Sequence, residues 1–229
     1  MKIVILAAGI GSRLGNPYPK PLTVMKNGKK IMQQQVENLE SRFSKDLIMV
    51  VVGFKKDLIM EDQPDLQYIY NPDFDQTNTS KSLLRALYKC RGESVLWLNG
   101  DVVFEKEVLT LLLPFISKNN SFVAVNNSVV GEEEVKYSID DQGYINTISK
   151  QVENAPGEAV GINFISDRDI DNFISRLELC GPNDYFEKGL EEAIIKDNIK
   201  VLPVDISAYN CIEVDFSEDL DRANKLFDK

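Results

Sequence analysis

The sequence predicts an α/β fold, with a mixed, mostly parallel sheet, helices on both faces and one small hairpin. Three observations carry this. Apolar runs of strand length alternate with stretches of helical periodicity, giving strand, helix and strand within the first 52 residues, the rhythm of an open sheet. Residues 47–52 (LIMVVV) are apolar without alternation, as a strand covered on both faces must be. Residues 132–148 instead alternate around Asp140-Asp141-Gln142-Gly143, which is a hairpin signature. The whole span 1–229 reads as one domain, long enough for a sizeable core.

Taken in order, residues 2–6 are a buried strand, followed by a glycine-bearing loop and a turn within 23–28. Residues 30–43 read as an amphipathic helix, with Ile31, Gln35, Leu39 and Phe43 at near-helical spacing. Strands follow at 47–52 and 66–70, the second leading into the turn Asn71-Pro72-Asp73. A helix over 81–90 precedes a strand over 95–98 that ends in Asn99-Gly100-Asp101. Then come a helix (105–117), a strand (122–126), the hairpin and a strand over 157–164 that contains Gly161. A glycine inside a strand is a place where a ligand can approach the backbone closely. Helices over 167–179 and 185–196, strands over 201–206 and 211–214, and a helix over 217–227 complete the chain.

Composition excludes several classes of function. Apolar residues at 43% and charged residues at 27% are ordinary globular values. No apolar stretch reaches the length of a membrane span, and the N-terminus lacks the form of a signal peptide, so a cytoplasmic location is expected. Cys90, Cys180 and Cys211 are widely spaced and without a CxxC pair. They read as buried small residues rather than disulfides or zinc ligands. A net charge of −10 argues against nucleic acid and anionic membranes as partners. There is no histidine, so imidazole catalysis and His metal sites are ruled out, and chemistry must rest on carboxylates, Lys, Arg and a metal.

The informative stretch is residues 2–22, KIVILAAGIGSRLGNPYPKPL. From Leu6 through Ala7, Ala8, Gly9 and Gly11 to Ser12, small residues let consecutive N–H groups face one acceptor, which makes a phosphate cradle. Arg13 and Lys20 add positive charge for a polyphosphate. Residues 1–36 hold six Lys or Arg and no Asp or Glu, so the remainder of the chain carries −16. A basic mouth on an acidic protein suits a small, concentrated anion. An ordinary βα turn is the plainer reading, but it requires neither Arg13 nor Lys20.

Two aspartates end apolar strands. Asp101 follows LNG and Asp215 follows IEV, and ligands of open α/β sheets gather at such strand ends. Each has a structural reading beside the functional one. Asp101 is a metal ligand or a turn aspartate. Asp215 is a metal ligand or, with Ser217 and Glu218, part of the start of the last helix. Glu132-Glu133-Glu134 reads as a solvated hairpin face, with a cationic head group as its functional alternative.

The run LAAGIGSRLGNPYPKPL resembles the signature of nucleotidyltransferases with a GT-A-like, Rossmann-type fold, LAAG-x-G-[ST]-R-[LM] followed by PK. The resemblance implies a three-layer fold and transfer of a nucleoside monophosphate from an NTP to a phosphorylated acceptor, with release of pyrophosphate. It implies Mg2+ held by Asp101 and Asp215. It also implies that Lys20 and Arg13 act on the triphosphate, and that the hairpin side contacts the acceptor through Lys150, with Glu158, Gly161 and Tyr185 beside it. A solvated lysine remains the plain reading of Lys150. DQTNTSKSL (75–83) is similar to the TN-x-x-x-SL pattern of phosphocholine and aminoalkylphosphonate cytidylyltransferases, which makes Asn78 and Ser82 nucleotide-contact candidates, with a helix cap as the alternative. CTP and a small phosphorylated acceptor are therefore the expected partners, in a possible homodimer. Where the phosphocholine enzymes have an acidic-tryptophan pair, this chain reads Glu134-Val135; Tyr137, Tyr185 or Phe186 could substitute. Sugar-1-phosphate nucleotidyltransferases and a non-catalytic domain of the same fold are the alternatives. The products of such enzymes commonly feed surface-polymer decoration.

Overall fold

The computed structural model describes residues 1–15, 17–128, 130–131 and 134–227, and of Ser12 the backbone alone. Glu132 and Glu133 of the acidic run lie outside the described residues.

β1 (Lys2–Ala7) is the central strand, pairing in parallel with β2 (Ile48–Val52) on one side and β4 (Val95–Asn99) on the other. β3 (Gln67–Tyr70) extends the sheet beyond β2. Beyond β4 lie β9 (Glu158–Ile165), β6 (Phe122–Asn126) and β10 (Leu202–Asp205), with β9 antiparallel to both its neighbours. The order is β10-β6-β9-β4-β1-β2-β3. The chain therefore leaves β1 in one direction and returns through β4 on the other side, so the carboxyl ends of β1 and β4 open side by side.

β1 shows why the sheet is three-layered. Ile3, Ile5 and Ala7 face one core, packed by α1 (Ile31–Glu40) and α4 (Glu107–Ser117). Val4, Leu6 and Ala8 face the other, packed by α3 (Thr79–Leu87), α5 (Ile170–Leu179) and α6 (Phe186–Asp197). A period of two with both phases apolar buries both faces. The sheet is mixed and mostly parallel, as expected.

The hairpin forms from β7 (Lys136–Ile139) and β8 (Ile145–Ser149), and Lys136 of β7 also pairs with Glu158 of β9. One α-helix and one strand escaped the sequence reading. α2 (Lys56–Asp62) is short and buries only Ile59, so it has little periodicity to detect. β5 (Val102–Phe104) pairs antiparallel with β11 (Cys211–Glu213). That ladder bridges residues a hundred positions apart and brings the segment before α7 (Ser217–Phe227) to Asp101. The helix expected over 81–90 starts two residues earlier, because Asn78 accepts the N–H of Thr79 at 2.8 Å and caps it. Cys90 and Cys180 are buried as expected, while Cys211 is half-buried.

Candidate active site

A cavity of about 640 Å³ opens at the carboxyl ends of β1 and β4. Leu6, Ala7, Gly9 and Gly11 line it, whereas Ala8 turns into the core. Gly11 has φ +64°, and a Cβ there would lie 2.6 Å from Lys20 Cγ. Glycine is therefore what lets the Lys20 side chain pass beneath the loop.

Lys20, 9% exposed, donates from Nζ to Asp101 Oδ2 at 3.2 Å and to Asp215 Oδ1. Arg13 Nη1 donates to the other oxygen of Asp215 at 2.7 Å. Four residues spread over two hundred positions thus meet at one point. Two cross-ties hold them: Gln35, wholly buried in α1, donates to the carbonyls of Asn99 and Val102, both at 2.8 Å. Val214 N–H donates to Asp101 O at 3.0 Å. The helix-start role considered for Asp215 falls instead to Asp219, whose Oδ2 accepts the N–H groups of Asp215 and Phe216. That leaves the Asp215 carboxylate for the cations.

Glu213, which the sequence reading passed over, lines the same wall and accepts from Asn99 Nδ2 at 3.0 Å. Burial, reinforced by Asp101, Asp215 and Glu134, pushes its carboxyl well above the usual carboxylate range. Burial also raises Asp101, against the pull of Lys20 and with the push of Asp215. Burial works to lower Lys20, but Asp101 and Asp215 outweigh it and its pKa rises.

Asp101 and Asp215 face the charges of Lys20 and Arg13 here, and a divalent cation would take the place of that pair. Asp101 and Asp215 already converge on one cation, the Lys20 ammonium. Among the described residues no group of three or more His, Cys, Asp or Glu converges as a metal cage. Two carboxylate oxygens with the remaining positions left to phosphates and water is the arrangement magnesium favours. The residues fit that ion.

Glu134, Lys150, Tyr185 and Glu187 also line the cavity. Lys150 Nζ lies 5.9 Å above the Tyr185 ring. Glu134 is half-buried rather than a solvated face, and burial with Glu158 and Asp215 raises its carboxyl. Glu187, also missed in the sequence, is raised by burial to about 7, with Lys150 pulling the other way.

Four expected site residues have partners within the fold. Asn78 lines the cavity but is committed as the α3 cap. Ser82 is buried on the inner face of α3, where its Oγ accepts from Asn71 Nδ2 at 3.1 Å, away from the cavity wall. Glu158 accepts the N–H of Gly131 at 2.7 Å. Gly161 is a place of close approach, but what approaches is Asn99 and Val102: a Cβ would lie 2.9 Å from Asn99 Nδ2 and from Val102 Cγ2.

Fold and site together define a nucleotide-handling α/β protein, with its ligand cleft across the ends of the central strands. The chain belongs to the MobA-like NTP transferase domain family, whose match runs from residue 3 to residue 160. The bifunctional protein GlmU of Methanococcus maripaludis is 30% identical over 220 residues, taking in 91% of this chain and 50% of that protein. The chain thus spans about half the length of such relatives. The CMP-5'-(3-aminopropyl)phosphonate synthase of Streptomyces rubellomurinus is 35% identical over 121 residues, 49% of this chain and 19% of that protein. The solved CTP:phosphocholine cytidylyltransferase of Streptococcus pneumoniae matches with a TM-score of 0.76 at 17% identity, covering 98% of this chain and 97% of that chain. At that identity the likeness is one of fold. Among the described residues no helix is long and apolar enough to cross a membrane.

Proposed function

We propose that this chain is a magnesium-dependent cytidylyltransferase that transfers CMP from CTP to a small phosphorylated or phosphonylated acceptor and releases pyrophosphate. The observation that carries the reading is the meeting of Lys20, Arg13, Asp101 and Asp215 at the mouth of the glycine loop. An acceptor oxygen attacks the α-phosphorus, a new P–O–P bond forms, the α–β anhydride bond breaks, and pyrophosphate carries away the electron pair. The attacking group is already an anion, so no general base is required, in keeping with a chain that lacks histidine.

Backbone N–H groups of the loop from Ala8 to Ser12 would receive the triphosphate, with Arg13 over its outer charge. Lys20 would leave the two aspartates for the α-phosphate and offset the charge that grows in the transition state. Asp101 and Asp215 would hold Mg2+, which when bound supplies charge neutralisation and alignment of the phosphate oxygens. CTP as the donor is supported by the likeness of residues 75–83 to the cytidylyltransferase pattern and by the similarity to the CMP-phosphonate synthase.

Pyrophosphate release with magnesium and each of the four NTPs tests the reading, against aminoalkyl phosphonates, phosphocholine, glycerol phosphates and hexose 1-phosphates. Turnover with CTP and a non-sugar acceptor, abolished by EDTA, is expected. Turnover with UTP or GTP and a hexose 1-phosphate would instead establish the sugar-nucleotide alternative.

A further inference from the structure

Glu187 is the feature of the cavity that the transfer chemistry leaves unused. It stands in the first turn of α6, beside Tyr185 and Phe186, and lines the wall. Its Oε2 is buried and has no hydrogen-bond partner among the described residues. A buried carboxylate oxygen without a donor is costly. The arrangement suits a donor that arrives with a ligand.

A hydroxyl group or an N–H-bearing cation could supply that donor, and the charge on the wall favours the second. Six carboxyl side chains line the cavity against three cations, Arg13, Lys20 and Lys150, so a ligand group that brings positive charge gains more here than a neutral one. The rings then select among cations, because a quaternary ammonium is held over an aromatic face. Tyr185, Phe186 and Phe216 line the cavity. Lys150 stands over Tyr185 and Arg13 over Phe216, each at 5.9 Å. Phe186 is 2% exposed and packs edge-on against Trp97. One face of Tyr185 and one of Phe216 are therefore each met by the protein's own cation, and Phe186 is buried.

We propose that Glu187 determines acceptor specificity by accepting an N–H from the protonated amine of an aminoalkyl phosphate or phosphonate, in preference to a trimethylammonium or a hydroxyl. The proposal rests on the acceptor reading given above. Burial, which holds the Glu187 carboxyl up to about 7, supports it, because a bound ammonium favours the ionised form.

The test is calorimetric binding, with CTP and magnesium analogues that do not turn over, of 2-aminoethylphosphonate, 2-hydroxyethylphosphonate and the N-trimethyl derivative of the first. In the wild type the primary amine is expected to bind about tenfold or more tighter than either isostere. In Glu187→Gln that advantage should shrink to within about threefold, while nucleotide affinity, measured as the folding control, stays unchanged. Should the Gln variant not fold, Glu187→Asp, which withdraws the carboxylate by one methylene, is expected to lose the same advantage. Equal binding of the three by the wild type, tightest binding of the trimethyl compound, an amine preference that survives substitution, or no binding of any of them overturns the proposal. The transfer reading fails separately: no pyrophosphate from any NTP, with the amine preference intact, would remove the chemistry and leave Glu187 in its role.

Discussion

At the mouth of the cavity each charged group is already answered by another. Asp101 and Asp215 share Lys20, Arg13 takes the second oxygen of Asp215, and Glu213 accepts from Asn99. Elsewhere on the cavity wall the Glu187 carboxylate keeps an oxygen without a donor among the described residues, and Lys150 stands over a ring. The two sets of groups are built for different work. A matched set of charges holds its geometry before any ligand arrives, which is what stabilising a phosphoryl-type transition state requires. An unmatched carboxylate is completed by a ligand, and so reports which ligand is present.

The comparison breaks most sharply at Lys20. Lys20→Ala should lower kcat roughly 100-fold or more, as for other preorganised charge stabilisers, with acceptor preference retained; activity within about tenfold of wild type would remove Lys20 from the chemistry. Gly161→Ala perturbs the matched set from behind. It demands φ +70° of an alanine and presses a methyl against Asn99, the partner of Glu213. A loss of about 2–3 kcal/mol in denaturant unfolding is expected, with the amine preference at Glu187 unaffected.

The unmatched carboxylate has its own signature in pH. Glu187 titrates near 4.5 in the unfolded chain and near 7 in the fold, because burial disfavours its charge. Between those values the native state holds a proton that the unfolded chain has released, so unfolding free energy falls as pH rises through the window. The loss should be about 1–3 kcal/mol by pH 8, and Glu187→Gln should remove that part of the slope. An identical pH profile in the two proteins would contradict the buried, partnerless carboxylate. The smallest effect belongs to Ser82→Ala, which deletes a buried bond to Asn71 and should cost about 1 kcal/mol of stability while leaving the nucleotide KM unchanged.

The matched set was legible in the sequence because its residues follow strands directly. Lys20, Asp101 and Asp215 stand at punctuated strand or loop ends, and the chemistry of such positions is local. Glu213 was not, since it lies inside β11 and its role comes from the ladder with β5, a pairing that no periodicity announces. Ser82 was a nucleotide-contact candidate by resemblance, and the packing of α3 on the core is what turns it inward. Gly161 reads in the sequence as the approach of a ligand, and only the packed structure puts Asn99 and Val102 against it. Glu187 left no trace, because what distinguishes it is a partner that is missing in three dimensions. The fold was legible almost throughout, because β1 and β2 carry apolar residues in both phases and the hairpin does not.

The central claim is the transfer itself, and phosphorus NMR of the chain mixed with CTP, magnesium and 2-aminoethylphosphonate tests it most directly. Consumption of CTP should yield pyrophosphate together with a new pair of coupled resonances from a phosphonate–phosphate anhydride. CTP left intact, or cleaved to CMP without that pair, would contradict it.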